Sequence, residues 1–147
     1  MTPKQAVRRI ERLRIEVKTE IGRAVKRTTK KGVAEFRRMS SGTETPKSLR
    51  QKDYPYARRH GTPILPPEII NKQRGVFFEN TRDQPIRFDA DGVHGQVIND
   101  SDVADFLNEG TDSMFRRPIA DFVENYMENQ AKIELETSLR KLEAKYG

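Results

Sequence analysis

Phe106-Leu107-Asn108-Glu109-Gly110-Thr111, then Met114, Arg116-Arg117-Pro118 and an apolar-periodic run from Ile119, is the stretch on which the fold turns. Glycine lets a backbone turn where other residues would be strained, so Gly110 marks a corner. Proline suits the first turn of a helix, where its missing N–H costs little, so Pro118 marks a start. Ile119, Phe122, Val123, Tyr126 and Met127 then fall at the spacing of one helical face. A terminal helix is predicted from about Pro118 to Tyr146. Ile133, Leu135, Leu139 and Leu142 continue its apolar side, although the period blurs after Gln130. The stretch holds no catalytic grouping. It marks where a small sheet ends and the last helix begins.

Working back from the corner, Val103, Phe106 and Leu107 are expected to bury beside it. Asn99-Asp100-Ser101-Asp102 has the composition of a turn or helix cap. Pro85-Ile86-Arg87-Phe88-Asp89 alternates as a strand does, Asp91-Gly92 is a hairpin signal, and Val93 to Asn99 forms the returning strand. Gln73 to Asn80, with the apolar Val76-Phe77-Phe78, is compatible with a short helix or a strand.

At the other end, Pro3 to about Met39 is predicted as one long helix with Thr2 as its N-cap. Val7, Ile10, Leu13, Val17, Ile21 and Ala24 form a narrow apolar seam that suits one partner face rather than a wide core. Thr28-Thr29 and Gly32 weaken the middle, so a kink or break is expected there. Residues 40–67 form a proline-rich extended arm, since proline removes donors and fixes φ. Tyr54 and Tyr56 lie in it beside Arg58-Arg59-His60-Gly61. Aromatics next to arginines stack on bases or on a neighbouring chain, or anchor the loop on its own domain. The organisation is therefore α+β: a basic N-terminal helix at 1–39, an extended arm at 40–67, and a small antiparallel sheet with a C-terminal helix at 68–147.

Of the 147 residues, 34% are hydrophobic and 34% charged, which leaves room for a small core completed against neighbours. There is no Cys, hence no disulfide and no thiolate ligand or nucleophile. No apolar run suggests a signal peptide or approaches a membrane span, and a soluble chain made in the cytoplasm is expected. The net charge of +6 is unevenly spread: residues 1–59 hold 18 Lys/Arg against 6 Asp/Glu, whereas residues 60–147 hold 10 against 16. A basic front half can face a polyanion such as DNA, pack against acidic neighbours, or simply be solvated. Arg8, Arg9, Arg12, Lys26, Arg27, Lys30 and Lys31 are the candidate polyanion-facing residues. Cations along a helix neutralise phosphates without reading sequence. An exposed face with inter-subunit ion pairs accounts for them as well. No helix-turn-helix or zinc spacing is present to read bases.

Catalytic chemistry is poorly provided for. Asp100, Asp102, Asp105 and Asp112 lack the spacing of a calcium loop. His60 and His94 stand in different elements and cannot make a standard zinc site unaided. No nucleophile elbow or phosphate-cradling glycine motif occurs. The expectation is a non-enzyme with no metal and no cofactor.

The Glu109-Gly110-Thr111 corner, the Met114-x-Arg116-Arg117-Pro118 connection and the helix that follows resemble the tail-completion or neck proteins of tailed bacteriophages, the minor tail family related to the lambdoid head–tail joining proteins. In that family a strand ends in an aromatic-x-Glu-x-Gly-Thr-like corner, and a Met/Pro/Arg-rich connection leads into the last helix. Here Asn108 stands where many members carry an aromatic, and Pro118-Ile119 replaces a Pro-Phe pair. Arg58 to Gly61 and Pro66 to Gly75 are similar to the approach to the sheet. The likeness covers roughly residues 54–130, and the basic helix adds little to it. It implies an α+β virion subunit that forms a ring, expected to be hexameric, around the DNA channel. Its partners would be further copies of itself, a head connector, adaptor or head-closure protein, and a tail tube or terminator. It would be located in the neck or tail of the virion, and in the host cytoplasm during assembly. Glu109, Gly110, Thr111, Arg116, Arg117, Tyr54 and Tyr56 become the candidate subunit contacts. For Glu109, acceptance of local backbone hydrogen bonds is the competing role. A small, sequence-independent DNA-binding protein using the first helix is the alternative.

Overall fold

A computed structural model describes residues 2–41, 51, 76–110 and 118–146. Helix α1 spans Pro3–Met39 and opens on a capping box: Thr2 Oγ1 accepts from the Gln5 N–H, and Gln5 Oε1 accepts from the Thr2 N–H at 2.8 Å. At about 1.5 Å per residue it is a rod of roughly 55 Å. It runs without a break, contrary to the kink expected at Thr28-Thr29 and Gly32. The Thr28 hydroxyl donates to the Ala24 carbonyl and the Thr29 hydroxyl to the Lys26 carbonyl, each at 3.0 Å, so both polar groups are satisfied within the helix. At Gly32 the missing side chain is what lets Met127 and Val97 lie against the helix, because an added Cβ would stand 2.4 Å from the Met127 sulfur. Packing outweighs weak intrinsic propensity here.

Along the C-terminal half of α1 lies one bulged β-hairpin. The short helix α2, Val76–Glu79, leads into β1, Thr81–Asp83. Strands β2, Arg87–Phe88, and β3, Val93–His94, flank the Asp91-Gly92 turn, and β4, Val97–Asn99, pairs back on β1. Thr81 faces Asn99 and Asp83 faces Val97, but Arg87 faces His94, so the register slips by one. Gln84 still donates to the Gln96 carbonyl at 2.9 Å. Pro85 and Ile86 therefore oppose Gly95 alone, which is a β-bulge. This is why the strand expected at Pro85–Asp89 is shortened to Arg87–Phe88 and the one expected at Val93–Asn99 is broken at Gly95, while Thr81–Asp83 is a strand that the sequence did not announce. Pro85 has no N–H to offer the ladder, and Gly95 is pressed against α1. A Cβ on Gly95 would sit 2.5 Å from Thr29 Cγ2 and 2.6 Å from Val25 Cγ1.

Beyond the hairpin, α3 spans Ala104–Glu109 and α4 spans Ile119–Tyr146, starting one residue after Pro118. Helix α4 runs antiparallel to α1. The architecture is thus α+β, with a long N-terminal helix, small antiparallel sheets and a C-terminal helix. The core is concentrated at one end, where Phe36 and Met39 of α1 meet Ile119 and Val123 of α4, with Phe77, Val97, Leu107 and Met127 packed around them. Thr81 and Asn99 tie the hairpin to this end. Thr81 is fully buried and donates to the Phe77 carbonyl, and Asn99 Nδ2 donates to Thr81 Oγ1 at 2.8 Å. Asn99 Oδ1 also accepts from the Ser101 N–H at 2.9 Å, the Asx turn that the sequence signals there.

Two expectations need correction. The residues ahead of Gly110 form α3 rather than a strand end, since Ala104 N–H already bonds the Ser101 carbonyl and winds the chain into a helix. Val103 and Phe106 are exposed, and only Leu107 reaches the core. The six-residue α3 has one inner side, and Leu107 occupies it. On α4 likewise, Phe122, Ile133 and Leu139 are exposed while Ile119, Val123 and Leu142 are buried. Its inward face over the middle turns is polar, built on Gln130, Glu134 and Ser138. The arm predicted at 40–67 lies outside the described residues beyond Ser41, except for Gln51, and so do Thr111, Met114, Arg116 and Arg117.

Candidate functional site

Helical phase sorts the candidate cations of α1 into two groups. Arg9, Arg27 and Lys31 turn toward α4. The Arg27 guanidinium bonds the Glu134 carboxylate through Nε and the Ser138 hydroxyl through Nη2, the latter at 3.2 Å. Lys31 Nζ bonds Glu134 Oε1 and Gln130 Oε1, each at 2.8 Å. Arg9 Nη2 donates to the Tyr146 carbonyl at 3.3 Å. The hydrogen bonds from Lys31 and then Arg27 hold the Glu134 carboxyl below its ordinary pKa. Two cations of the basic half are thus spent on one carboxylate of the acidic half, within a single chain.

Arg8, Arg12, Lys26 and Lys30 point the other way. All four are exposed and make no hydrogen bond or ion pair among the described residues. Arg23, not among the sequence candidates, shares their side and is exposed too, although its guanidinium bonds Glu20. Successive helical residues are turned by about 100°, which brings positions 8, 12, 23, 26 and 30 onto one stripe roughly 33 Å long. Along its edge toward α4 stand Glu16, which lies in the field of Arg12, and Glu20, which bonds Arg23; Glu11 and Glu35 lie farther round the helix. Such a stripe can follow a run of phosphates, or the acidic surface of another protein.

Near the thin end of the helix pair, Glu16 accepts from Lys145 Nζ at 2.7 and 2.9 Å. Its pKa is lowered, first by Lys145 and then by a hydrogen bond from Tyr146, with Arg12 adding its field. Lys145 and Tyr146 are both raised by the same carboxylate.

The corner itself is built as the sequence suggests at Gly110. Its φ of +80° lies in the left-handed region, and its N–H closes α3 on the Phe106 carbonyl at 2.9 Å. Glu109 is exposed at the end of α3 and makes no hydrogen bond to backbone among the described residues. Asp102, Asp105 and Glu109 fall on one side of this turn with Phe106, so an exposed ring is rimmed by three exposed carboxylates. Sequence reasoning missed this grouping because it placed Phe106 inside.

Hairpin-tip chemistry is local. His94 Nε2 lies 2.9 Å from Asp89 Oδ1, which also accepts from the N–H groups of Asp91 and Gly92. These bonds, the His94 one foremost, lower the Asp89 pKa and fix the turn. Among the described residues no three His, Cys, Asp or Glu are grouped to hold a metal ion, and no helix is long and apolar enough to cross a membrane. Comparison with protein-family models, curated proteins and solved structures finds no match for the chain.

Proposed function

We propose that this chain is a structural, non-enzymatic subunit of the bacteriophage head–tail interface, assembling as a ring that joins connector to tail around the DNA channel. The resemblance at residues 106–118 suggests it, and one observation carries it further. Phe106, 55% exposed and rimmed by carboxylates, stands one turn before the left-handed Gly110 corner of a chain whose main hydrophobic cluster lies at one end. A side chain of that size left in water next to a built corner fits a subunit contact better than a catalytic site. The basic stripe of α1 then remains for DNA in the channel or an acidic connector. Native mass spectrometry of the chain alone, and mixed with connector and tail-tube proteins, tests the reading. A ring or a stoichiometric complex with either partner is expected. Failure to join itself, a connector or a tail tube would end it.

The second reading is a sequence-independent DNA-binding protein, favoured by the exposed cationic stripe at Arg8, Arg12, Arg23, Lys26 and Lys30. Its signature is a monomer or dimer that binds duplex DNA, with log K falling against log salt at a slope of about −4.5 for five phosphate contacts. Mutating any one stripe residue should reduce that slope by about 1.

A further inference from the structure

The seam of α1 continues past the point where α4 covers it. Val17 and Ile21 are half-buried and Ala24 and Thr28 buried, but Val7 and Ile10, on the same side, are 56% and 65% exposed. The last described turn of α4 reaches α1 at Arg9 through the Tyr146 carbonyl and goes no farther. Lys4 and Arg14 are exposed on the two flanks of the overhanging apolar pair, with Glu11 the one exposed carboxylate beside them. No acidic residue stands in the first turn of α1 to offset the positive end of the helix dipole.

At the other end of the helix pair the same arrangement recurs with the opposite sign. There the exposed apolar residues are Val103 and Phe106 on α3, surrounded by Asp102, Asp105 and Glu109. Leu107, the neighbour of Phe106, packs on the Phe36–Met39 cluster, so this patch sits at the core end. From Ile10 to Phe36 along α1 is roughly 39 Å, so the two patches cannot meet within one chain.

We propose that the α1 overhang of one copy docks on the α3 patch of the next, with Val7 and Ile10 against Phe106 and Val103, and Arg14 and Lys4 opposite Asp105 and Glu109. The occupant of each patch is a second copy, because each surface carries an exposed apolar pair and the flanking charges, Lys4 and Arg14 against Asp102, Asp105 and Glu109, are opposite in sign. A contact between different patches is heterologous: repeated, it closes a ring or grows a filament rather than stopping at a two-fold dimer. The contact rests on the subunit reading above and gives it residues.

Absence of cysteine makes the test clean. Ile10→Cys and Phe106→Cys are made as separate variants, both at exposed positions, and oxidised alone and mixed. A disulfide needs Cα atoms within about 7 Å, so it forms only across a real contact. The mixture is expected to give the Ile10→Cys/Phe106→Cys heterodimer in excess over either homodimer. Efficient Ile10→Cys homodimers overturn the proposal in favour of a two-fold contact. A charge test runs beside it. Lys4→Glu with Arg14→Glu, or Asp105→Lys with Glu109→Lys, should each weaken self-association about tenfold, and the two variants mixed should recover it. Wild-type assembly with no mixed disulfide and no charge effect overturns this contact and leaves the subunit reading standing. A wild-type chain that joins neither itself, a connector nor a tail tube overturns both.

Discussion

The two ends of the α1–α4 pair are held by different forces. At the core end Phe36, Met39, Ile119 and Val123 exclude water and are clasped by α2, the hairpin and α3. At the thin end the helices meet through Glu16 with Lys145 and Arg9 with the Tyr146 carbonyl, all in solvent, and Val7 and Ile10 lie bare. Between them the Glu134 network with Arg27 and Lys31 forms a partly buried polar middle. Burial of apolar area supplies most folding free energy, whereas exposed ion pairs supply little. The molecule is therefore stable at one end and merely aligned at the other, and apolar surface is left bare at both, Val7 and Ile10 at the thin end and Val103 and Phe106 at the core end.

Mutations along the pair can break or sharpen that contrast. The largest effect belongs to the core end: Phe36→Ala should cost about 3–5 kcal/mol, read as a drop in urea midpoint, while Ile10→Ala should leave the monomer's midpoint unchanged. Equal losses at both sites would erase the distinction. Next comes the hairpin seat. Gly95→Ala forces a Cβ into Val25 and Thr29 and should cost about 1–3 kcal/mol, with hydrogen exchange accelerated in the hairpin before the helices.

In the polar middle, Glu134→Gln should cost about 1 kcal/mol at pH 7, discounted for the half-exposed cations it faces. Its sign with pH is defined. The folded-state pKa of Glu134 is depressed, so its contribution is fully present above the unfolded value of about 4.3 and is lost as pH falls through the lower folded value. Denaturation of wild type and Glu134→Gln should therefore differ at pH 7 and converge once the pH has fallen below the folded value; a gap that persists when the carboxyl is protonated means the glutamate acts through something other than its charge. Smallest of all, Glu16→Gln should not move the thermal midpoint detectably, although its pKa too is depressed, because the pair with Lys145 is solvated and screened. A measurable loss would show the thin end to be more than aligned.

Much of the framework was legible from local chemistry. Thr2 with Pro3 announces the start of α1, Asp91-Gly92 the hairpin tip, Asn99 an Asx turn, Gly110 a left-handed corner and Pro118 the start of α4. Each depends on one residue's own stereochemistry, which holds wherever the residue sits. The candidate surface was legible only in part. Seven cations were named on α1, yet no spacing rule says which of them an antiparallel helix will claim; Glu134, more than a hundred residues away, decides it for Arg27 and Lys31. The exposed Phe106 was unreadable for a similar reason. An aromatic next to a leucine has the pattern of a buried pair, and only the single inner side of α3 shows that Leu107 takes the place and Phe106 does not.

Residue order alone indicated the two long helices, the hairpin tip and the basic-to-acidic gradient along the chain, because backbone preference and formal charge are local properties. Tertiary contact decided the rest. It filled the gap at Gly32 with Met127, whereas the Thr28 and Thr29 hydroxyls bond carbonyls of α1 itself and leave the helix continuous. It broke the strands at Pro85 by pressing Gly95 onto the helix. It also divided the positive charge into a set spent on α4 and an exposed stripe facing outward. These outcomes depend on which surfaces compete for the same space, and that competition exists only once distant segments have met.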